Sequence, residues 1–104
     1  MDLLPSSIAQ QLPKLYEQEK LGGDAVAYVK FFDPCGSWTW YATEYDGDDI
    51  FFGLVFGHET ELGYFSLHEL ASCRGPLGIG IERDLHFVPT TLKKLRNAHF
   101  VANL

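Results

Sequence analysis

Alternation of apolar and polar positions through the middle of the chain indicates antiparallel β-strands. Residues 25–33 and 37–45 alternate with a period of two, as strands with two different faces do. Residues 50–56 are nearly all apolar, which predicts a central strand, and residues 61–65 predict a fourth. Residues 81–88 can form a fifth strand.

Short turn sequences separate these strands. Residues 33–36 read Asp-Pro-Cys-Gly and residues 46–49 read Asp-Gly-Asp-Asp, and Asp-Gly between two strand patterns is a strong hairpin signal. Residues 57–60 form the next turn. Consecutive strands joined by short turns predict an antiparallel meander.

The N-terminal segment has apolar residues at helical spacing, which predicts helix over residues 5–20 with Ser6 or Ser7 as the N-cap. Pro13 splits this segment and opens a second, more regular helix, because proline lacks the N–H that an interior position donates. The glycines at 22 and 23 end it.

Two further helices are predicted after the meander. Ser66 and Glu69 have the spacing of a capping box, so a short helix starts near Leu67. Residues 74–80 contain three Gly and one Pro and predict a loop, and a last helix begins near Leu92. The predicted fold is a single α+β domain over residues 1–104. It is an antiparallel four- to five-stranded meander packed with short N-terminal, central and C-terminal helices.

Charge is distributed unevenly over this framework. The chain has 104 residues and a net charge of −6, with 46% hydrophobic residues, enough for a substantial core. No Lys or Arg lies between Lys30 and Arg74. Direct nucleic-acid binding is therefore not expected, because it needs a basic surface. The acidic residues of this stretch are Asp33, Glu44, Asp46, Asp48, Asp49, Glu59, Glu61 and Glu69.

Candidate chemistry is sparse. Carboxylates at Asp46, Asp48 and Asp49, with a histidine, could hold a divalent cation for hydrolysis, but the spacing does not match a calcium loop of the EF-hand type. Cys35 and Cys73 are predicted to be reduced thiols with no local signature of a nucleophile. We predict no catalytic residue, no metal ligand and no cofactor.

Two tryptophans suggest a different kind of site. Trp38 and Trp40 are two residues apart in a strand, so both point to the same side. If helices cover that side, the rings belong to the core; if it is open, they form a platform for a protein partner or for single-stranded nucleic acid. The nucleic-acid alternative would also use the basic residues of the last helix, Lys93, Lys94 and Arg96.

The region after the glycine-rich loop predicts ion pairs. An arginine flanked by two carboxylates is typical of a structural ion-pair network. The glycines of the loop are not in the strand-to-helix context of a phosphate-binding loop. The predicted network comprises Arg74, Glu82, Arg83 and Asp84.

Six short phrases are distributed over most of the chain. They are residues 12–16 (LPKLY), 38–47 (WTWYATEYDG), 51–55 (FFGLV), 61–67 (ELGYFSL), 74–78 (RGPLG) and 81–85 (IERDL). Together they resemble a bacterial family of domains of unknown function, number 2958. The resemblance covers about residues 12–92. It implies a setting on plasmids, phages and integrative elements, and it implies no catalytic residues.

These observations favour a small, acidic, non-enzymatic protein-interaction module. Such a protein could inhibit a host defence complex, a CRISPR effector or a restriction enzyme, by occupying its nucleic-acid channel. The alternatives are a metal-dependent hydrolase and a single-strand binder. With no signal peptide at the start and no apolar run of membrane-spanning length, we expect a cytoplasmic protein. The predicted partner-binding residues are Glu44, Asp46, Asp48, Asp49, Glu59 and Glu61.

Overall fold

A computed structural model describes residues 1–102 as a five-stranded antiparallel sheet with short helices, an α+β fold. The strands are β1 (Val26–Ala27), β2 (Val29–Phe32), β3 (Thr39–Tyr45), β4 (Ile50–Phe56), β5 (Thr60–Ser66), β6 (Glu82–Arg83) and β7 (Thr90–Thr91). The α-helices are α1 (Ser6–Ala9), α2 (Leu67–Ser72) and α3 (Leu92–Ala102). 3₁₀ turns cover Glu19–Asp24 and Pro76–Gly78.

The meander predicted from the sequence is confirmed. The strand order of the large sheet is β5-β4-β3-β2-β6, with every neighbouring pair antiparallel. β4 lies between β3 and β5, as its continuous apolar sequence predicts. Gly53 is in a place where only glycine fits, because a Cβ there would overlap the carbonyl group of Tyr41 on β3.

Both faces of the sheet are covered, so the protein has two small cores. On one face, Phe31 and Phe51 pack with residues of α1, α2 and the segment before α1. On the other face, Leu54 and Phe56 pack under Leu92 of α3 and under β1. Neighbouring strand residues point to opposite faces, which is why adjacent apolar positions in β4 serve different cores.

The N-terminal helix prediction is correct only at its start. α1 is a single turn, and its N-cap is Pro5 with no side-chain hydrogen bond, so neither Ser6 nor Ser7 is the cap. No regular helix follows Pro13. The chain forms turns and then the 3₁₀ segment, in which Gly22 has φ +54°, outside helical geometry. Side chains distant in sequence hold this segment, as described below.

The α2 prediction is confirmed in detail. The Ser66 side chain accepts a hydrogen bond from the backbone N–H of Glu69 at 3.1 Å, and the helix begins at Leu67. This is the cap that the serine-to-glutamate spacing predicts.

Two strand predictions need correction. Residues 25–33 are broken at Tyr28, because Val26–Ala27 pair with β7 instead of continuing in the large sheet. The predicted strand 81–88 is only two residues long. The Asp84 carboxylate accepts a hydrogen bond from the His86 N–H at 2.9 Å, which forms a turn and ends pairing with β2.

Candidate functional site

The turn between β3 and β4 is organised by one carboxylate. The Asp46 side chain accepts hydrogen bonds from the N–H groups of Asp48, Asp49 and Ile50, at 2.8, 2.8 and 3.0 Å. Gly47 takes φ +88°, as the Asp-Gly hairpin signal predicts. The N–H of Asp48, and after it that of Asp49, lowers the pKa of Asp46 below its ordinary value. This charge therefore stabilises the turn.

Asp49 joins the same turn to α2. Its carboxylate accepts a hydrogen bond from the Ser66 hydroxyl at 2.7 Å and another from the N–H of His68 at 2.8 Å. Both partners lie at the N-terminus of α2, where exposed N–H groups favour a negative charge. Asp49 is thus only partly exposed, and its oxygens already have partners.

The metal-dependent alternative receives no support from this geometry. Two of its three carboxylates are occupied by backbone or hydroxyl donors. Within residues 1–102, no group of three or more His, Cys, Asp or Glu side chains is placed to hold a metal ion.

Glu44, which was predicted to be a partner-binding residue on the surface, is buried instead. A β-bulge in β3 between Ala42 and Glu44 shifts the register against β4, and both Thr43 and Glu44 are buried. Glu44 is 3% exposed, and its two oxygens accept hydrogen bonds from the N–H groups of Tyr16 and Gln18, each at 2.8 Å. The expectation that Glu44 is a surface contact for a partner is wrong, because its carboxylate attaches the N-terminal segment to the sheet.

The remaining predicted acidic contacts are exposed and lie at two separate places. Asp48 is in the β3–β4 turn, and Glu59 and Glu61 lie at the β4–β5 turn and the start of β5. These turns are at opposite ends of β4, whose seven residues span about 20 Å. The exposed acids therefore border one side of the sheet from end to end instead of forming one cluster.

Positive charge lies toward the opposite edge. β3, β4 and β5 contain no Lys or Arg, whereas Lys30 is on β2 and Arg83 is on the edge strand β6. We call the part of the sheet formed by β4, β5 and their flanking turns the acidic margin. The charge asymmetry in sequence is thus an asymmetry across the sheet.

The predicted ion-pair network is absent from residues 1–102. Arg83 donates to the carbonyl oxygens of Asp2 and Leu3, at 2.8 and 3.1 Å, and so fastens the N-terminus to β6. Arg74 donates to the carbonyls of Ala71 and Cys73, each at 2.7 Å, at the end of α2. In both arginines the Nη1 atom donates to two backbone oxygens instead of to a carboxylate.

The carboxylates of the predicted network behave differently. Asp84 forms an ion pair with Lys30 on β2, with 3.6 Å between Nζ and the carboxylate oxygen. Glu82 has no ion pair within the described part of the chain and borders a cleft beside Arg74. The network prediction was therefore wrong in its partners.

The two tryptophans are neighbours on the sheet, with ring centroids 5.9 Å apart. Trp40 packs against the core under α1, and the Trp38 ring lies against Gly57 and edge-on to His58. Both rings are half-buried, so they are partly core and partly surface. Their role as a platform stays a prediction.

The loop over residues 74–80 is a loop, as predicted. Leu77 at its tip has φ +62° and is 97% exposed, an unusual conformation for a residue with a branched side chain. Cys73 before the loop and Cys35 are both free and exposed. None of the helices in residues 1–102 is long and apolar enough to cross a membrane.

One group of neighbouring side chains is not predicted by any sequence pattern. Register places Glu44, Phe52 and Tyr64 side by side on β3, β4 and β5, and the segment containing Tyr16 and Glu19 lies next to them. A small cleft separates the segment from the strands. Alternation in β5 signals the direction of Tyr64, but the bulge and the path of residues 13–18 carry no local signal.

Fold and surface together define a small α+β protein with a negatively charged sheet margin. The chain belongs to the family of proteins of unknown function DUF2958, whose family model matches residues 3–98. The resemblance drawn from the sequence phrases is thereby confirmed. Neither a curated protein nor a solved structure matches the chain.

Proposed function

We propose that this protein is a non-enzymatic interaction module whose acidic margin binds a basic surface on a protein partner. The observation that carries the proposal is the margin itself, where Asp48, Glu59 and Glu61 are exposed and no Lys or Arg is present in β3, β4 or β5. A surface of one sign steers a partner of the opposite sign and discriminates against partners of like sign.

The length of the margin favours a partner that binds nucleic acid. Its acids are separated by about 20 Å along β4, so they match an elongated basic groove better than a single cationic pocket. A groove that binds a nucleic-acid strand carries regularly spaced Lys and Arg side chains for the phosphates. The protein would occupy such a groove as a mimic of nucleic acid.

A host defence complex is the partner we expect. The resemblance implies a setting on mobile genetic elements, and such elements benefit from blocking a CRISPR effector or a restriction enzyme. The protein would act in the cytoplasm, where these complexes contact DNA. This part of the proposal depends on the implied setting and not on the geometry.

The geometry favours this proposal over the nucleic-acid alternative. The tryptophans lie on the sheet face toward α1, while the helix that carries Lys93 and Lys94 packs against the other face. A nucleic-acid strand would therefore have to stack on the tryptophans on one side of the molecule while its phosphates are neutralised on the opposite side.

The test uses purified CRISPR effector complexes and restriction enzymes in DNA-cleavage assays, with wild-type protein added. We expect inhibition of at least one complex, weakened by added salt because exposed charges are screened. The double variant Glu59→Lys/Glu61→Lys should lose inhibition.

A matched control separates the margin from overall charge. Glu17→Lys/Asp24→Lys changes exposed acids of the N-terminal segment, and the ion pair of Asp24 with Lys93 that it breaks is solvent-exposed and contributes little to stability. Each reversal adds two charges, so both double variants move the net charge from −6 to −2. An equal loss of inhibition in the two double variants would contradict the proposal. So would a wild-type protein that inhibits none of the complexes.

A further inference from the structure

The cleft beside Tyr16 combines aromatic rings with carboxylates. Phe52 and Tyr64 are cross-strand neighbours with ring centroids 5.0 Å apart, in an edge-to-face arrangement. Tyr16, from the N-terminal segment, also lines the cleft. Glu44 and Glu19 complete the lining.

The cleft is held in shape by strong constraints. Glu44 is 3% exposed and fixed by two backbone N–H groups, one of them the N–H of Tyr16. Tyr16 has φ +73°, a left-handed conformation that is rare for an aromatic residue. The buried carboxylate thus holds a strained residue, and with it one aromatic wall of the cleft.

Among residues 1–102, no Lys, Arg or His side chain lines this cleft. Within residues 1–102 the ion pairs are Lys30 with Asp84 and Lys93 with Asp24, and the cation–π contacts both involve Lys30. Glu44 therefore has hydrogen-bond donors but no positively charged partner. A buried carboxylate together with aromatic rings, whose faces are negative at their centres, favours a cation.

We propose that this cleft binds an alkylammonium group, the end of a lysine side chain presented by a partner protein. Its volume of about 80 Å³ is room for two to three water-sized groups, which fits an ammonium and the methylene next to it. A guanidinium group is larger and planar and fits this space less well. The rings would contact the methylene and the ammonium, with Glu19 and Glu44 supplying the opposite charge.

The cleft does not depend on the acids that support the proposed function. Glu59 and Glu61 do not line it, so the margin can fail to bind a defence complex while the cleft still binds an ammonium group, and the reverse.

The experiment is an NMR titration of the full-length, ¹⁵N-labelled protein with Nα-acetyl-lysine-N-methylamide. We expect saturable shifts of the amides of Tyr16, Phe52 and Tyr64, with a Kd of about 1–10 mM, as befits a single small cation. The matching compound acetylated at Nε keeps the same four methylenes but is uncharged and longer by the acetyl group, and should cause no such shifts. The corresponding arginine compound should bind more weakly.

Variants assign the binding to the cleft. Tyr64→Leu removes a ring that is 56% exposed and should weaken binding at least about threefold without opening the core. Glu19→Gln should weaken it by a smaller factor, and Glu17→Gln, a neighbouring exposed acid outside the cleft, should leave it unchanged. Equal shifts with the neutral compound, no saturable shifts up to about 20 mM, or unchanged binding by Tyr64→Leu would overturn the proposal.

Discussion

Replacing Glu44 with glutamine tests whether this carboxylate is a structural clamp. The change keeps the size of the side chain and one carbonyl oxygen but removes the charge and one acceptor. Of the two N–H groups that Glu44 now satisfies, those of Tyr16 and Gln18, one keeps an acceptor and the other faces an NH₂ group. The second N–H then has no partner in a buried position, where water cannot replace the lost acceptor.

The expected decrease in the free energy of unfolding follows from these two hydrogen bonds. A hydrogen bond to a charged group contributes about 1.5–3 kcal/mol, so losing one and weakening the other should lower the free energy of unfolding by about 2–3 kcal/mol. The whole free energy of unfolding of a domain of this size is about 5–15 kcal/mol. The same change should lower Tm by about 8–24 °C. Glu44→Ala removes both acceptors and should be worse, by about 1–2 kcal/mol.

Urea unfolding followed by circular dichroism measures the loss as a lower midpoint with an unchanged slope. Hydrogen exchange adds a local readout, since the amides of Tyr16 and Gln18 should lose protection before the rest of the sheet. Glu19→Gln, an exposed acid in the same segment, should change stability by less than about 0.5 kcal/mol. A Glu44→Gln variant as stable as this control, with both amides still protected, would refute the clamp.

Three further predictions concern the sheet and its β3–β4 turn. Gly53→Ala should lower stability by about 3 kcal/mol or more in urea unfolding, since the new methyl would overlap the Tyr41 carbonyl. Gly63→Ala, where the same methyl meets open space, should have little effect, and equal losses would contradict this reasoning. Phe51→Ala, at a fully buried ring, should cost about 3–5 kcal/mol by the same assay, and a loss under about 1 kcal/mol would count against its place in the core. Asp46 has a lowered pKa in the folded state, so its contribution is present above the ordinary value of 3.8 and is lost as the pH falls through the lowered one. The difference in Tm between wild type and Asp46→Ala should therefore narrow below pH 3.8, and a constant difference would refute this assignment.

The meander was predictable because its signals are local. Alternation with a period of two, the Asp-Gly turn and the continuous apolar run of β4 each refer to a few neighbouring residues, and strand pairing across short turns follows from them. The cap at Ser66 is local in the same sense. The capping spacing was sufficient because the hydrogen bond closes over three residues.

The N-terminal segment and the buried carboxylate were not predictable for the opposite reason. Tyr16 and Glu44 are 28 positions apart, and no pattern near either one indicates that they meet. The bulge that brings Thr43 and Glu44 inward breaks the alternation on which the surface assignment depended. The ion pairs predicted at Arg83 do not form, because Arg83 donates to backbone carbonyl oxygens instead. Every residue has such a carbonyl, so no sequence pattern indicates which of them an arginine contacts.

The difference between structural and free carboxylates decides how an interaction surface on this protein can be tested. Glu44, Asp46 and Asp49 hold the backbone in place, so reversing their charge would weaken folding and reduce the binding of any partner, whatever surface that partner uses. Glu59 and Glu61 carry exposed charge without a hydrogen bond or ion pair from their side chains within residues 1–102. Reversing the charge of Glu59 or Glu61 can therefore weaken association while the free energy of unfolding stays unchanged. A loss of binding by such a variant identifies the binding surface, because unfolding cannot account for it.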